Sequence, residues 1–107
     1  LHPLRGQNNV QGASDAGLIP MVLPDYQSVE DAARRAAFET VWGPGVRNEH
    51  IAPQRGLTVV EIMQAILRDE IRGMYIMGEN PAMSDPDAAH AREALAKLDH
   101  LVVQDIF

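Results

Sequence analysis

The segment from Arg5 to Asp15 concentrates polar side chains around two glycines, Gly6 and Gly12. Within eleven residues it holds one guanidinium, four side-chain amides, one hydroxyl and one carboxylate. Fixed dipoles at this density suit a polar or anionic ligand, and the Arg5 guanidinium can hold a carboxylate or phosphate through two parallel hydrogen bonds. The residues alone leave open a structural role, in which Arg5 is solvated or pairs with a carboxylate of the protein.

A second set of polar residues follows two short apolar runs, 74–77 and 101–103, in the other half of the chain. If these runs are neighbouring parallel strands, their carboxyl ends meet at one edge of the sheet, where ligands bind in open α/β folds. The simpler interpretation, turn formers and a solvated charge, also stays open. The residues concerned are Gly78, Glu79, Asn80, Gln104 and Asp105.

The spacing around these residues predicts a strand, a helix and a second strand. The strands are expected at about 74–77 and 101–104, and the helix between them is expected to begin at Asp85, its N-cap, with Pro86 in the first helical position. A crossover of this kind joins parallel strands. The fold class predicted for the chain is therefore α/β, a partial Rossmann-like parallel sheet with a βαβ crossover.

A helix predicted at about 59–69 precedes this unit. Thr58 and Glu61 form a capping box, in which each side chain accepts from an otherwise unpaired backbone amide, and apolar residues recur behind it at helical spacing. Residues 58–107 are therefore interpreted as the regular half of the chain, a βαβ segment.

Residues 1–57 hold most of the glycines and prolines and read as the loop-rich half. One helix is predicted there, at about 29–41, with Ser28 as its cap and Asp31 in its acidic first turn. The stretches 6–24 and 43–56 read as long connections, which are uncommon in a compact domain unless they bind something.

Composition excludes several classes of function. The chain has 107 residues, a net charge of -6 and no cysteine, so it offers no basic stripe for nucleic acid and no thiolate for a metal or a disulfide. Its four histidines fit no metal-ligand spacing, and no metal-ligating residue is predicted. No apolar run approaches the roughly twenty residues that cross a bilayer. The first and last residues suggest an internal segment of a larger polypeptide.

Two stretches together resemble the catalytic (alpha) subunit of molybdenum- or tungsten-dependent formate dehydrogenases, in the molybdopterin oxidoreductase (DMSO reductase) family. One runs from Pro3 to Gly17 and continues through Pro20 to Tyr26, and its eleven residues from Arg5 to Asp15 are far more specific than a short motif. The other combines Tyr75 to Pro81 with Val102 to Phe107. The Gly-Glu-Asn-Pro and Gln-Asp-Ile-Phe elements within this second stretch are shared more broadly across the family.

The resemblance implies a bis(molybdopterin guanine dinucleotide) cofactor carrying Mo or W, and it suggests a role for each matching residue. Arg5 corresponds to the active-site arginine that orients the formate carboxylate. Gly6 and Gln7 correspond to contacts near the metal and the pterin. The residues that correspond to binding of a guanine dinucleotide are Gly78, Glu79 and Asn80 in one loop, and Gln104 and Asp105 at the second strand end. Residues 1–57 would then be an active-site segment and 58–107 a cofactor-binding segment.

The implied reaction is oxidation of formate to carbon dioxide in a cytoplasmic enzyme. An iron–sulfur cluster held elsewhere in the parent chain, the remainder of that catalytic subunit and electron-transfer subunits would be its partners. The metal-ligating Cys or selenocysteine and the adjacent His have no counterpart here, so these residues alone are expected to be inactive. Ser14 stands where some relatives have Cys.

Other interpretations remain at this stage. Within the family the chain could come from a nitrate reductase or from a complex I-type subunit that kept the fold without the pterin. Outside it, the chain could be a non-enzymatic α/β module that binds a nucleotide or a partner. The Arg5-Gly6-Gln7 triplet is the feature that should discriminate within the family, because substrate choice is expected to follow the residues at the metal.

Overall fold

The computed structural model describes residues 7–43 and 50–106, which fall in two units, Leu1–Gly56 and Leu57–Phe107. The first unit begins with a short helix, α1 (Val10–Asp15). The sequence prediction of an irregular connection over 6–24 was wrong at this point. The carbonyl of Asn9 accepts from the amide of Ala13 at 3.0 Å, and the Ser14 hydroxyl donates to the carbonyl of Val10 at 2.9 Å. Small residues with local hydrogen bonds therefore complete a helical turn that apolar periodicity does not reveal.

A small antiparallel hairpin follows α1. Its strands are β1 (Val22–Leu23) and β2 (Gln27–Ser28), joined by a 3-10 turn at Pro24–Tyr26. Gly17 approaches this turn so closely, at a φ of 86°, that a Cβ would lie 2.7 Å from the backbone nitrogen of Pro24. Only glycine fits that position without a shift of the backbone.

Helix α2 (Ala32–Trp42) begins later than predicted. Asp31 caps it, because its Oδ1 accepts from the amides of Ala33 at 2.8 Å and Arg34 at 3.2 Å. Ser28, the expected cap, instead pairs with Val22 in the hairpin. The predicted end is confirmed: the helix stops at Trp42, and Gly43 follows at a φ of 75°.

The second unit opens with α3 (Val59–Leu67), whose capping box is confirmed. The amide of Thr58 donates to Glu61 Oε2 at 2.8 Å, and the amide of Glu61 donates to the Thr58 hydroxyl at 3.4 Å. The helix ends two residues before the predicted position 69, because Asp69 adopts a left-handed φ of 61°.

The predicted parallel strands are confirmed. They are β3 (Gly73–Met77) and β4 (His100–Gln104), and the register runs from Gly73 opposite His100 to Met77 opposite Gln104. Helix and strand are mixed in the chain, and the α/β class holds.

The connection between these strands differs from the prediction of one helix capped by Asp85. It contains a single-turn helix, α4 (Pro81–Ser84), and then α5 (Ala88–Lys97). Asp87 caps α5 by accepting from the amide of His90 at 3.1 Å. Asp85 accepts from the amide of Asp87 at 2.9 Å, so it shapes the link between the two helices.

The core of the second unit lies between α3 and α5. Met63 and Ile66 of α3 are 1% exposed, and Ala91 and Ala94 of α5 are fully buried. Met74 of β3 packs against this cluster, which fixes the strand to the helices. The buried alanines leave room for the larger side chains opposite them, as close packing requires.

Strand β4 is much less covered. Leu101, Val102 and Val103 are 42%, 53% and 55% exposed, although consecutive residues of a strand point to opposite faces. Apolar side chains are therefore accessible on both faces of β4. No helix among residues 7–43 and 50–106 is long and apolar enough to cross a membrane.

The packing of α5 predicts that Ala94→Leu destabilises the protein by about 1–3 kcal/mol, because the larger side chain must enter a filled core. Urea unfolding measures this free energy. The matched control is Ala96→Leu on the exposed side of the same helix, which should stay within about 0.5 kcal/mol of the parent. Equal destabilisation by both substitutions would contradict the packing described.

Candidate functional site

The carboxyl ends of β3 and β4 meet at one edge of the sheet. Met77 lies opposite Gln104, and the amide of Gly78 donates to the carbonyl of Gln104 at 2.8 Å, one step beyond the last strand pair. The parallel register thus brings together the polar residues that sequence analysis had selected at both strand ends. We call this set the strand-end site: Gly78, Glu79, Asn80, Gln104 and Asp105.

Gly78 turns the chain out of β3. Its φ is 64°, a left-handed conformation, and a Cβ placed on it would meet no atom within 4 Å. The glycine is therefore required by backbone conformation and not by crowding. The space above it is open, so a ligand can approach the backbone here.

The two residues after this glycine are held in place by hydrogen bonds with residues of α4. Glu79 Oε1 accepts from the Ser84 hydroxyl at 2.6 Å. Asn80 lies at the N-cap position, where its carbonyl accepts from the amides of Met83 and Ser84, but its side chain makes no capping hydrogen bond. The Asn80 side chain is exposed and so is accessible to a ligand at this edge.

The side chains at the end of β4 also accept hydrogen bonds from the protein. Gln104 Oε1 accepts a hydrogen bond from the hydroxyl of Tyr75, on the neighbouring strand. Asp105 Oδ1 accepts from the amide of Ile106 at 2.7 Å. Both side chains are exposed, so their remaining polar atoms face solvent.

The chemistry of the strand-end site is a mixture of neutral donors and anionic acceptors. Asn80 and Gln104 carry side-chain NH2 groups, whereas the Glu79 and Asp105 carboxylates accept hydrogen bonds. Two carboxylates disfavour a phosphate at the same spot, while they suit the N–H and O–H groups of a base or sugar. The arrangement therefore fits the nucleoside portion of a nucleotide.

Tyr75 and Ser84 contact site residues and were not predicted as part of the site. Tyr75 was assigned to a strand and to a stretch of family resemblance, and Ser84 received no assignment. The period of two gives one signal in retrospect: Tyr75 lies two residues before Met77, the partner of Gln104, so it occupies the same face. Ser84 carried no comparable signal, because α4 was not predicted.

The predicted residues of the first unit are only partly described. Arg5 and Gly6 lie outside the described residues. Gln7 is described, is exposed and immediately precedes the turn into α1.

The histidines do not form a metal centre in the described part of the chain. His50 pairs with Glu39 of α2, with Nδ1 3.1 Å from Oε2. The amide of Ile51 donates to the other carboxylate oxygen at 2.7 Å, and this bond, followed by that of His50, lowers the pKa of Glu39. The pair attaches residues 50 and 51 to α2. Within 7–43 and 50–106, no group of three or more His, Asp or Glu could hold a metal ion.

A cavity of about 270 Å³ lies elsewhere in the second unit, between α3 and the start of α5. Asp85, Asp87 and His90 line it together with apolar residues of α3. Asp85 and Asp87 already bond backbone amides there. The cavity includes no residue of the strand-end site.

Comparison with known proteins identifies the class to which this fold and site belong. The family model described as molybdopterin oxidoreductase matches residues 5–107. The chain belongs to the molybdopterin oxidoreductase family. Membership implies a molybdopterin cofactor with Mo or W.

Several individual proteins are similar to this chain over nearly its whole length. The alpha subunit of an F420-dependent formate dehydrogenase from Methanocaldococcus jannaschii is 50% identical over the whole chain. Formate dehydrogenase H from Escherichia coli is 40% identical over the whole chain, and the assimilatory nitrate reductase catalytic subunit of Bacillus subtilis is 36% identical over 97% of it. The chain spans only 15%, 14% and 14% of the lengths of these three relatives.

The left-handed conformation of Gly78 predicts that Gly78→Ala lowers the free energy of unfolding by about 1–2 kcal/mol, because a Cβ is disfavoured at positive φ. Gly73→Ala, at the start of β3, is the matched control. A Cβ there would have its nearest contact at 3.8 Å, an ordinary van der Waals distance. Urea unfolding of both variants should therefore separate them, and a neutral Gly78→Ala would contradict the backbone geometry.

Proposed function

We propose that this chain is the part of a formate dehydrogenase catalytic subunit that helps to bind a bis(molybdopterin guanine dinucleotide) cofactor with Mo or W. The observation that carries this proposal is the identity of 40–50% over the entire chain to proteins named as formate dehydrogenases. Because the chain spans about 15% of such relatives, the activity belongs to a larger protein of which these residues form one segment.

The proposed reaction removes two electrons and one proton from formate to give carbon dioxide. When bound, the metal and its pterins supply the two-electron acceptor, which no side chain of this sequence can provide. The role left to the protein is to hold the cofactor, orient formate and exclude competing chemistry.

The strand-end site supports a role in holding the nucleoside end of one guanine dinucleotide. The open backbone at Gly78 allows a planar group to approach. Asn80 and Gln104 would donate to oxygen or ring nitrogen acceptors, and Glu79 and Asp105 would accept from N–H or O–H groups. This division of roles matches a guanosine, which presents both donors and acceptors.

The segment around Arg5 is proposed to act on the substrate. A guanidinium can bind both oxygens of formate at once and so fix the direction of its C–H bond. Gly6 and Gln7 would contact the cofactor beside it. These roles rest on the family resemblance.

The remaining parts of the proposal concern partners. Electrons would leave through an iron–sulfur cluster bound by cysteines elsewhere in the parent chain, since this sequence has none. Electron-transfer subunits would receive them. A cytoplasmic location is part of the same proposal and rests on the resemblance alone.

Nitrate reduction is the second candidate. It is favoured by one specific observation, the 36% identity to a nitrate reductase catalytic subunit. The same strand-end site would serve either activity, because it binds the cofactor and not the substrate. The two candidates therefore differ in the substrate that is turned over.

The full-length, cofactor-loaded protein should reduce a viologen dye when formate is added. It should not oxidise the reduced dye when nitrate is added. A steady-state absorbance assay measures both reactions on one preparation. Nitrate-dependent oxidation without formate-dependent reduction would replace the first candidate by the second.

Arg5→Lys should lower formate turnover in that protein by roughly tenfold or more, because a lysine cannot make the two parallel bonds of a guanidinium. Pterin and metal content should remain near the parent values. Arg34→Lys, on the exposed surface of α2, is the control and should keep full turnover. Unaltered turnover in Arg5→Lys would remove Arg5 from the substrate site.

A further inference from the structure

The side chain and the backbone of Gln104 are both held by the neighbouring strand and its turn. The backbone carbonyl accepts from the amide of Gly78 at 2.8 Å. The side-chain Oε1 accepts from the hydroxyl of Tyr75. Gln104 therefore has two attachments to the neighbouring strand and its turn.

The contact with Tyr75 follows from the register of the sheet. Tyr75 pairs with Val102, and Met77 pairs with Gln104, so Tyr75 and Gln104 lie diagonally on one face. Diagonal neighbours on a sheet are within reach of aromatic and long side chains. The bond thus requires only the parallel alignment that β3 and β4 already have.

This bond contributes little to folding. Tyr75 is 54% exposed and Gln104 is also exposed, so water would satisfy both groups if the bond were absent, and its net contribution is small. Its effect is on orientation. An unrestrained Gln can present either its oxygen or its NH2 group to a ligand, whereas an oxygen turned toward Tyr75 directs the NH2 group away from it, toward a ligand.

We propose that Tyr75 is a positioning residue that fixes Gln104 as a hydrogen-bond donor in the strand-end site. The ligand group that Gln104 contacts is then an acceptor oxygen, such as a hydroxyl or carbonyl oxygen of the nucleoside. Asp105, the next residue, offers only acceptors when ionised, so the two neighbours select for opposite hydrogen-bonding groups. This inference rests on the proposed function, in which the ligand is the nucleotide end of the molybdopterin cofactor.

The test is a double-mutant cycle in the full-length holoenzyme with Tyr75→Phe, Gln104→Ala and the combination. The readout is the rate of cofactor release in urea below the unfolding transition, followed by the fluorescence of the released, oxidised pterin and by the metal retained. Tyr75→Phe should speed release roughly three- to tenfold, the effect of one lost hydrogen bond. Gln104→Ala should speed it at least as much. The double variant should match Gln104→Ala, because Tyr75 acts through that residue.

Gln104→Glu adds a variant that keeps the length of the side chain and the bond from Tyr75 but replaces the NH2 group by a second acceptor. It should release cofactor as fast as Gln104→Ala. Tyr26→Phe is the matched control, because it removes the hydroxyl of an exposed tyrosine that is not one of the strand-end site residues or their partners. It should behave as the parent protein does.

Two results would overturn the inference while leaving the proposed function intact. One is parent-like cofactor release by Tyr75→Phe. The other is an equal acceleration by Tyr75→Phe in the parent and in the Gln104→Ala background, which would show a structural role independent of Gln104. A full-length protein that contains no molybdopterin would instead overturn the proposed function, and this inference with it.

Discussion

The strand-end site depends on the parallel hydrogen-bonded ladder between β3 and β4. The ladder aligns Met77 with Gln104 and continues to the bond between the Gly78 amide and the Gln104 carbonyl. A shift of one residue would move Gln104 to the opposite face and away from Tyr75. Packing of Met74 against the core of α3 and α5 opposes such a shift, so burial on one side of the strand sets the polar geometry at its end.

Because packing of the strands fixes the geometry at their ends, few residues are needed to build the site. The two segments that supply it are separated by more than twenty residues of crossover, yet their ends are adjacent because the strands are parallel. The helix α4 then adds Ser84 as a partner for Glu79. In the proposed function this site forms one end of a cofactor cleft, and the proposed activity requires the rest of a larger protein.

The predictable parts were those that depend on short-range rules. The capping box of Thr58 and Glu61, the two strands and the stop at Gly43 all follow from neighbouring residues and were confirmed. The alignment of the strands also followed, because a helical crossover joins parallel strands. Those elements were sufficient to predict that both polar strand ends would meet.

The errors came from competition between equally suitable residues. Ser28 and Asp31 can each cap a helix, as can Asp85 and Asp87, and in both cases the later residue caps while the earlier one is used in a hairpin or a link. Helices α1 and α4 escaped prediction because they are short and have no apolar stripe. The contact between Tyr75 and Gln104 could not be found from either segment alone, since it depends on side-chain reach across the sheet.

The exposed apolar residues of β4 have a practical consequence for anyone who prepares these 107 residues on their own. A strand with accessible valines on both faces and only one described strand partner offers a template for edge-to-edge association. Such association can precipitate a sample even when the chain is folded. Solubilising fusions or co-expression with the adjoining parts of a longer chain are therefore the sensible starting point for biochemical work.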